Sequence, residues 1–306
     1  MMKANDANSI NCLKMLGIDM IDKAKSGHPG IVLGAANVLY TLYAKVLKIN
    51  PHDPNWFNRD RFVMSAGHGS ALLYAMLYMS GYDLTMSDLK NFRRINSLTP
   101  GHPEYGVTPG VDATTGPLGQ GIANAVGIAL AERYYNNLSL KYYADNALID
   151  YYTYVFCGDG DLMEGISYEA LSFAGTQNLN KLIVIYDANH ISLDGPTSIS
   201  FDESVIDRMK ALGFNTQAIE SDSNLIEKAI KKAKKSDRPS FIYVESVIGE
   251  GSKLENTNTV HGKPLDEEDI LSLRSRLKVS PEPFTVPAEI LEYIHTNIKN
   301  RCLKEY

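Results

Sequence analysis

Two short runs, Tyr152–Cys157 and Leu182–Tyr186, constrain this chain more than any other feature. Both are β-branched or aromatic, neither holds a charge, and a helix-like stretch at 167–176 separates them. Strands that are apolar throughout are covered on both faces, the condition of a parallel sheet. Phe241–Val247 is a third such candidate after a lysine-rich helix at 224–235, and Arg61–Ser65 is a fourth. Helices are predicted at 6–25, where Ile10, Leu13, Gly17, Met20, Ile21 and Ala24 repeat at three- and four-residue steps, then on to Leu47, and at 70–79 and 121–135. The expected fold class is α/β: a doubly wound, mostly parallel sheet with helices on both faces.

Composition narrows the function classes. A hydrophobic share of 44% with a net charge of −6 excludes disorder, and the absence of basic runs gives no footing for nucleic acid. No apolar stretch approaches the roughly 18 residues of a membrane span, and the opening MMKANDANSI lacks a signal peptide's apolar core. Cys12, Cys157 and Cys302 are odd in number and far apart, so the expectation is free thiols in a reducing cytoplasm. There is no internal repeat. The one compositional break, near 279–287, divides an expected domain at 1–280 from a strap and linker helix at 281–306, whose Ile290, Ile294, Ile298 and Cys302 form an i, i+4 stripe.

Chemistry concentrates where the first two strands end. One runs into Gly158-Asp159-Gly160, and the other into Asp187-Ala188-Asn189-His190-Ile191. A single β-α-β crossover would set both loops side by side at the carboxyl edge of the sheet, where α/β folds bind ligands. Asp159 and Asn189 offer hard oxygens suited to Mg²⁺ or Ca²⁺, and a nearby carbonyl, two diphosphate oxygens and a water would complete a shell of six. Gly-Asp-Gly alone also fits a plain turn; the preceding strand, the spacing and the Asn favour a ligand site. Gly116-Pro117-Leu118-Gly119-Gln120-Gly121 opens a helix and presents backbone N–H groups to an anion, but matches neither GxGxxG nor a P-loop. Four histidines, His28, His68, His102 and His261, sit beside glycine in loops, where they could relay protons at neutral pH. A zinc site is the weaker alternative, since HExxH is absent and the cysteines do not cluster.

The segments Ser26-Gly-His-Pro-Gly30, Ser65-Ala-Gly-His-Gly-Ser-Ala-Leu-Leu-Tyr74, Thr99-Pro-Gly-His-Pro-Glu-Tyr105, Thr114–Asn124, Gly158–Gly165, Ser192–Ser198 and Val260-His-Gly262 resemble the transketolase family in order and spacing. The resemblance runs from about residue 9 to 262. It implies a thiamine diphosphate-binding fold, with the cofactor held through Mg²⁺ or Ca²⁺ by Asp159, Asn189 and the Ile191 carbonyl. It implies cofactor contacts from His68, Gly116, Pro117, Leu118, Gly160, Asn189 and His261. His28, His102 and His261 match catalytic histidines around a donor sugar, while Glu164 and Glu169 match acids that reach toward a subunit interface. The implied reaction moves a two-carbon ketol unit from a ketose phosphate to an aldose phosphate, a step of the pentose phosphate pathway. The implied partners are sugar phosphates, a pyrimidine-binding second domain or subunit, and a second copy in a homodimer, with no nucleic acid or membrane. Family members are about twice as long, so a truncated piece is expected rather than a split subunit, with an apolar face exposed near Ile166 and along Ile290–Ile298. A dihydroxyacetone synthase-like enzyme and a non-catalytic cofactor- or partner-binding half-domain are the alternatives. Ala188 and Glu250 depart from the family pattern, Glu250 standing where an apolar residue is expected.

Overall fold

The computed structural model describes residues 4–143 and 148–306. Helix α1 (Ala4–Ala24) buries the predicted apolar repeat from Ile10 to Ile21, leaves Ala24 half-buried, and ends where Lys25 adopts a φ of 55°. The single helix expected next is three pieces, α2 (Pro29–Gly34), α3 (Ala36–Thr41) and a π turn at Leu42–Val46. Gly34 marks the first break: a Cβ there would stand 2.9 Å from the Val247 carbonyl oxygen, so that helix is pressed against a strand-end loop. Strand β1 (Arg61–Met64) leads to α4 (Ser70–Ser80), the short α5 (Met86–Lys90) and α6 (Gln120–Tyr143), which runs eight residues past its predicted end.

The crossover read from the sequence follows as β2 (Thr153–Gly158), α7 (Asp159–Met163), α8 (Gly165–Thr176) and β3 (Leu182–Ala188). A two-residue hairpin, β4 (Ile191–Ser192) with β5 (Gly195–Pro196), precedes α9 (Val205–Ala211), β6 (Asn215–Glu220), α10 (Ser223–Ala233) and β7 (Ser240–Glu245). Helices α11 (Thr259–Gly262), α12 (Glu267–Leu277) and α13 (Ala288–Cys302) complete the chain. The strands β1-β2-β3-β7-β6 pair in that order, all parallel, with Val155 opposite Val184 and Val184 opposite Phe241.

Alternation divides the core into two layers. Tyr154, Phe156, Ile183, Ile185, Ile242 and Val244 join one cluster with α1, α4, α10 and α13, while Val155, Cys157, Val184, Tyr186 and Phe241 join another with α6, α8 and α9. The sheet is therefore covered on both faces, as its uncharged strands require. The edge strand β6 has half-exposed polar residues, which is why hydrophobic patterning did not find it.

One expectation is corrected. The stripe Ile290, Ile294 and Ile298 is not an exposed face but is buried, packed with α1, α4 and the π turn. Arg301 fixes that helix by donating to the carbonyls of Tyr43, Ala44 and Leu47 at 2.8, 2.7 and 3.0 Å. In the strap, the Phe284 N–H donates to Asp19 Oδ2 at 2.6 Å. Ile166 is half-buried. Among the described residues no helix is long and apolar enough to cross a membrane.

Candidate functional site

The carboxyl edge of the sheet gathers the predicted loops. β2 delivers Asp159 to the start of α7, where the side chain is 4% exposed. Its Oδ1 accepts a 2.6 Å hydrogen bond from the Tyr186 hydroxyl, and its Oδ2 is buried with no partner. Burial pushes this carboxyl up to about 6, against the lowering effect of the Tyr186 bond. A buried carboxylate oxygen left unpaired is costly, and a cation is the partner its chemistry fits.

The other two predicted metal-holding groups lie in the adjoining loop after β3. Asn189 donates through Nδ2 to Asp187 Oδ2 at 3.1 Å and accepts the Ile191 N–H at 3.0 Å on Oδ1. Ile191 stands opposite Pro196 in the hairpin, and proline has no N–H to offer the Ile191 carbonyl. Between them His190 holds a φ of 60° and is exposed, reaching Tyr243 Oη at 3.1 Å and Glu245 Oε1 at 3.2 Å. Among the described residues no group of three or more His, Cys, Asp or Glu side chains could hold a metal by itself. A shell completed by backbone and phosphate oxygens suits that inventory, and a histidine–cysteine zinc site does not.

The glycine-rich loop lies against the Gly158–Gly165 segment. A Cβ on Gly160 would come 3.0 Å from Leu118, and Gly119, at φ 77°, leaves no room for one against Ile166, Ser167 and Glu164. Pro117 and Leu118 are exposed at the loop crest. Asp161, which sequence reasoning passed over, holds these pieces together. It is fully buried and accepts from the Ser65 hydroxyl at 2.7 Å, the Gly119 N–H at 2.9 Å and the Gly158 N–H at 3.0 Å. The legible signal was its place in the first turn of a helix, where a carboxylate reaches back to the N-cap amide.

Three of the four histidines converge. The His68 and His261 rings stack at 5.2 Å, and His28 stands edge-on to them at 5.1 and 5.9 Å. His28 precedes α2, His68 sits in the turn after β1 and His261 in α11, so segments far apart in sequence supply the cluster. His102 lies in the next loop, its ring beside Gly116, where a Cβ would approach it to 3.5 Å. Burial lowers all four pKa values, His28 to about 4, and the Arg93 guanidinium beside His28 and His102 adds to the effect. Arg93 itself donates to the Ser26 hydroxyl at 2.9 Å and approaches His28 Nδ1 to 3.5 Å. The cluster is thus neutral near pH 7, and His261 Nδ1 is buried without a partner.

Glu164 and Glu169 stand exposed at the start of α8, on its outer surface. Glu250 is paired with Lys14 of α1, which accounts for a charge where an apolar residue was expected. Its loop also packs on the histidine loop, since the Gly249 N–H donates to the Gly30 carbonyl at 3.0 Å.

Comparison with known proteins identifies the family and the fold. A family model described as "Transketolase, thiamine diphosphate binding domain" matches residues 5–305. The transketolase of Aquifex aeolicus is 51% identical over 309 residues, covering 99% of this chain and 44% of that protein. The probable transketolase of Streptococcus pneumoniae serotype 4 is 52% identical, covering 97% and 46%. The solved transketolase from Leishmania mexicana superimposes with a TM-score of 0.94 at 45% identity, covering 100% of this chain and 46% of that one. A Pichia stipitis transketolase solved in complex with sedoheptulose 7-phosphate gives 0.94 at 44% identity, covering 97% and 44%. The chain spans less than half the length of these relatives.

Proposed function

The chain belongs to the transketolase family, matching its thiamine diphosphate binding domain, and from that premise we propose that it is the cofactor-holding half of an enzyme moving a two-carbon ketol unit between sugar phosphates. The observation that carries the proposal is the buried, unpartnered Asp159 Oδ2, on the loop after β2 that adjoins the Asn189 loop after β3, at the sheet edge that also carries the stacked histidines. Asp159, Asn189 and the Ile191 carbonyl would hold Mg²⁺ or Ca²⁺. His68, the Gly116–Leu118 backbone and Gly160 would take the diphosphate. When bound, thiamine diphosphate supplies the electron sink for carbon–carbon bond cleavage.

The chain's own residues orient the donor and handle its protons. His28, His102 and His261, neutral at pH 7, would hydrogen-bond the oxygens of a ketose phosphate and accept or return a proton there. His261 Nδ1 has no protein partner, so its hydrogen-bonding capacity is unspent. Glu164 and Glu169 would face a second copy in a cytoplasmic homodimer. The pyrimidine end of the cofactor and the sugar phosphate grip would come from a second domain, after a boundary near residue 280.

The test is complementation. The 306-residue chain is mixed with a separately made second half of a close transketolase, with thiamine diphosphate and magnesium, and two-carbon transfer is followed by a coupled assay. Transfer by the mixture and none by either half alone is the expected result. Robust transfer by the lone chain, or none by the mixture while both halves are folded, contradicts the proposal.

A further inference from the structure

Groups that ligate a metal are held in orientation by partners outside the ligand set, and those partners govern affinity as well as geometry. Two consecutive residues of β3 occupy such places. Tyr186 and Asp187 are both buried and, being neighbours on a strand, point to opposite faces of the sheet.

On one face, the Tyr186 hydroxyl donates to Asp159 Oδ1 at 2.6 Å. Its ring is braced edge-on by Tyr243 of β7, with centroids 5.3 Å apart at 79°. The bond occupies one carboxylate oxygen and leaves the other, Oδ2, buried and unpaired. On the other face, Asp187 Oδ2 accepts from Asn189 Nδ2 at 3.1 Å, while Oδ1 accepts from the Ser246 hydroxyl at 2.5 Å. A carboxylate can only accept, so it compels the amide nitrogen of Asn189 to face it and turns the amide oxygen the other way, where Oδ1 accepts the Ile191 N–H at 3.0 Å and keeps its second lone pair for a cation. Each bracing residue, Tyr243 and Ser246, comes from β7 or the residue just after it, the strand paired with β3.

We infer that Tyr186 and Asp187 are a matched pair of positioning residues for a divalent cation, Tyr186 turning Asp159 and Asp187 turning Asn189 so that each presents one oxygen. The inference rests on the proposed cation-bridged binding of thiamine diphosphate. A purely structural tyrosine would need only its ring, and Asp187 could be replaced by any group that caps Asn189.

The experiment is calorimetric titration of thiamine diphosphate into the 306-residue chain with Mg²⁺ and, separately, with Ca²⁺, for the unaltered protein, Tyr186→Phe, Asp187→Asn and Asp159→Ala. Mg²⁺ demands near-ideal octahedral geometry and Ca²⁺ tolerates irregular shells. Tyr186→Phe and Asp187→Asn are expected to weaken the Mg²⁺-supported affinity about tenfold or more, the size of an outer-partner loss, and the Ca²⁺-supported affinity distinctly less. Binding by the unaltered chain that Asp159→Ala weakens and the other two leave unchanged, or weaken equally with both metals, overturns the inference while the cofactor reading stands. Loss of the fold in Tyr186→Phe and Asp187→Asn makes both residues structural and overturns it too. No cation-dependent binding by the unaltered chain, either alone or mixed with the separately made second half, removes the cofactor reading and the inference with it.

Discussion

The Asp161 carboxylate accepts a 2.7 Å hydrogen bond from the Ser65 hydroxyl, joining the first turn of α7 to the loop after β1. Two backbone amides, Gly119 and Gly158, share the same carboxylate, so one side chain holds three of the site's loops. Asp161→Ala would strand buried donors in all three. The expected loss is about 3 kcal/mol, the size of unsatisfied buried groups, read as a lower urea midpoint with an unchanged slope. A variant within about 0.5 kcal/mol of the parent, the range of ordinary surface changes, would remove Asp161 from this role.

The histidine cluster predicts a pH dependence. Burial holds the folded-state pKa of His28 at about 4, below its ordinary 6.5. Between those values the unfolded chain binds the proton and the folded chain does not, so His28 favours folding fully above pH 6.5 and loses that contribution as pH falls toward 4. Asp159, raised to about 6, acts in the opposite sense and is common to both proteins compared. Unfolding free energy measured at pH 4 to 8 should therefore fall less steeply on acidification for His28→Asn than for the parent. Parallel curves would mean that His28 titrates alike in both states.

Ile294 is fully buried in α13 beneath α4. Ile294→Ala should cost about 2–5 kcal/mol, as buried large-to-small changes do. Leu303, exposed one residue past the helix, should tolerate Ala within about 0.5 kcal/mol. Chemical denaturation of the two variants gives the comparison, and equal costs would contradict the packing of this helix.

Much of this was legible in sequence because the strands carry their environment in their composition. Tyr152–Cys157 and Leu182–Tyr186 are uncharged because both faces are covered, and the loops at their ends followed from the crossover. What escaped was decided by partners. β6 is polar because it lies at an edge, the Ile290–Ile298 stripe looked available because its partners lie more than two hundred residues earlier, and Asp161 was passed over because two of its three donors come from distant or adjoining loops. The glycine-flanked histidines could be named one by one, but their stacking depends on three separate segments meeting.

The proposed roles of the histidines separate in kinetics. In the complemented enzyme His68→Ala should raise the thiamine diphosphate concentration needed for half-saturation. His28→Ala and His261→Ala should lower turnover at saturating cofactor by about 10²–10⁴, the range of lost acid–base help. The same cofactor defect in all three, with normal saturated turnover, would contradict this division.

The central claim is that thiamine diphosphate is held through a cation on Asp159. The most direct measurement is the cofactor's dissociation constant, by calorimetry with saturating Mg²⁺, for the parent and for Asp159→Ala, with circular dichroism confirming the fold. Removing one hard ligand from a site that bridges a diphosphate should weaken binding at least about tenfold, a change of about 1.4 kcal/mol. An Asp159→Ala protein that keeps its fold and binds the cofactor as tightly as the parent would contradict the account.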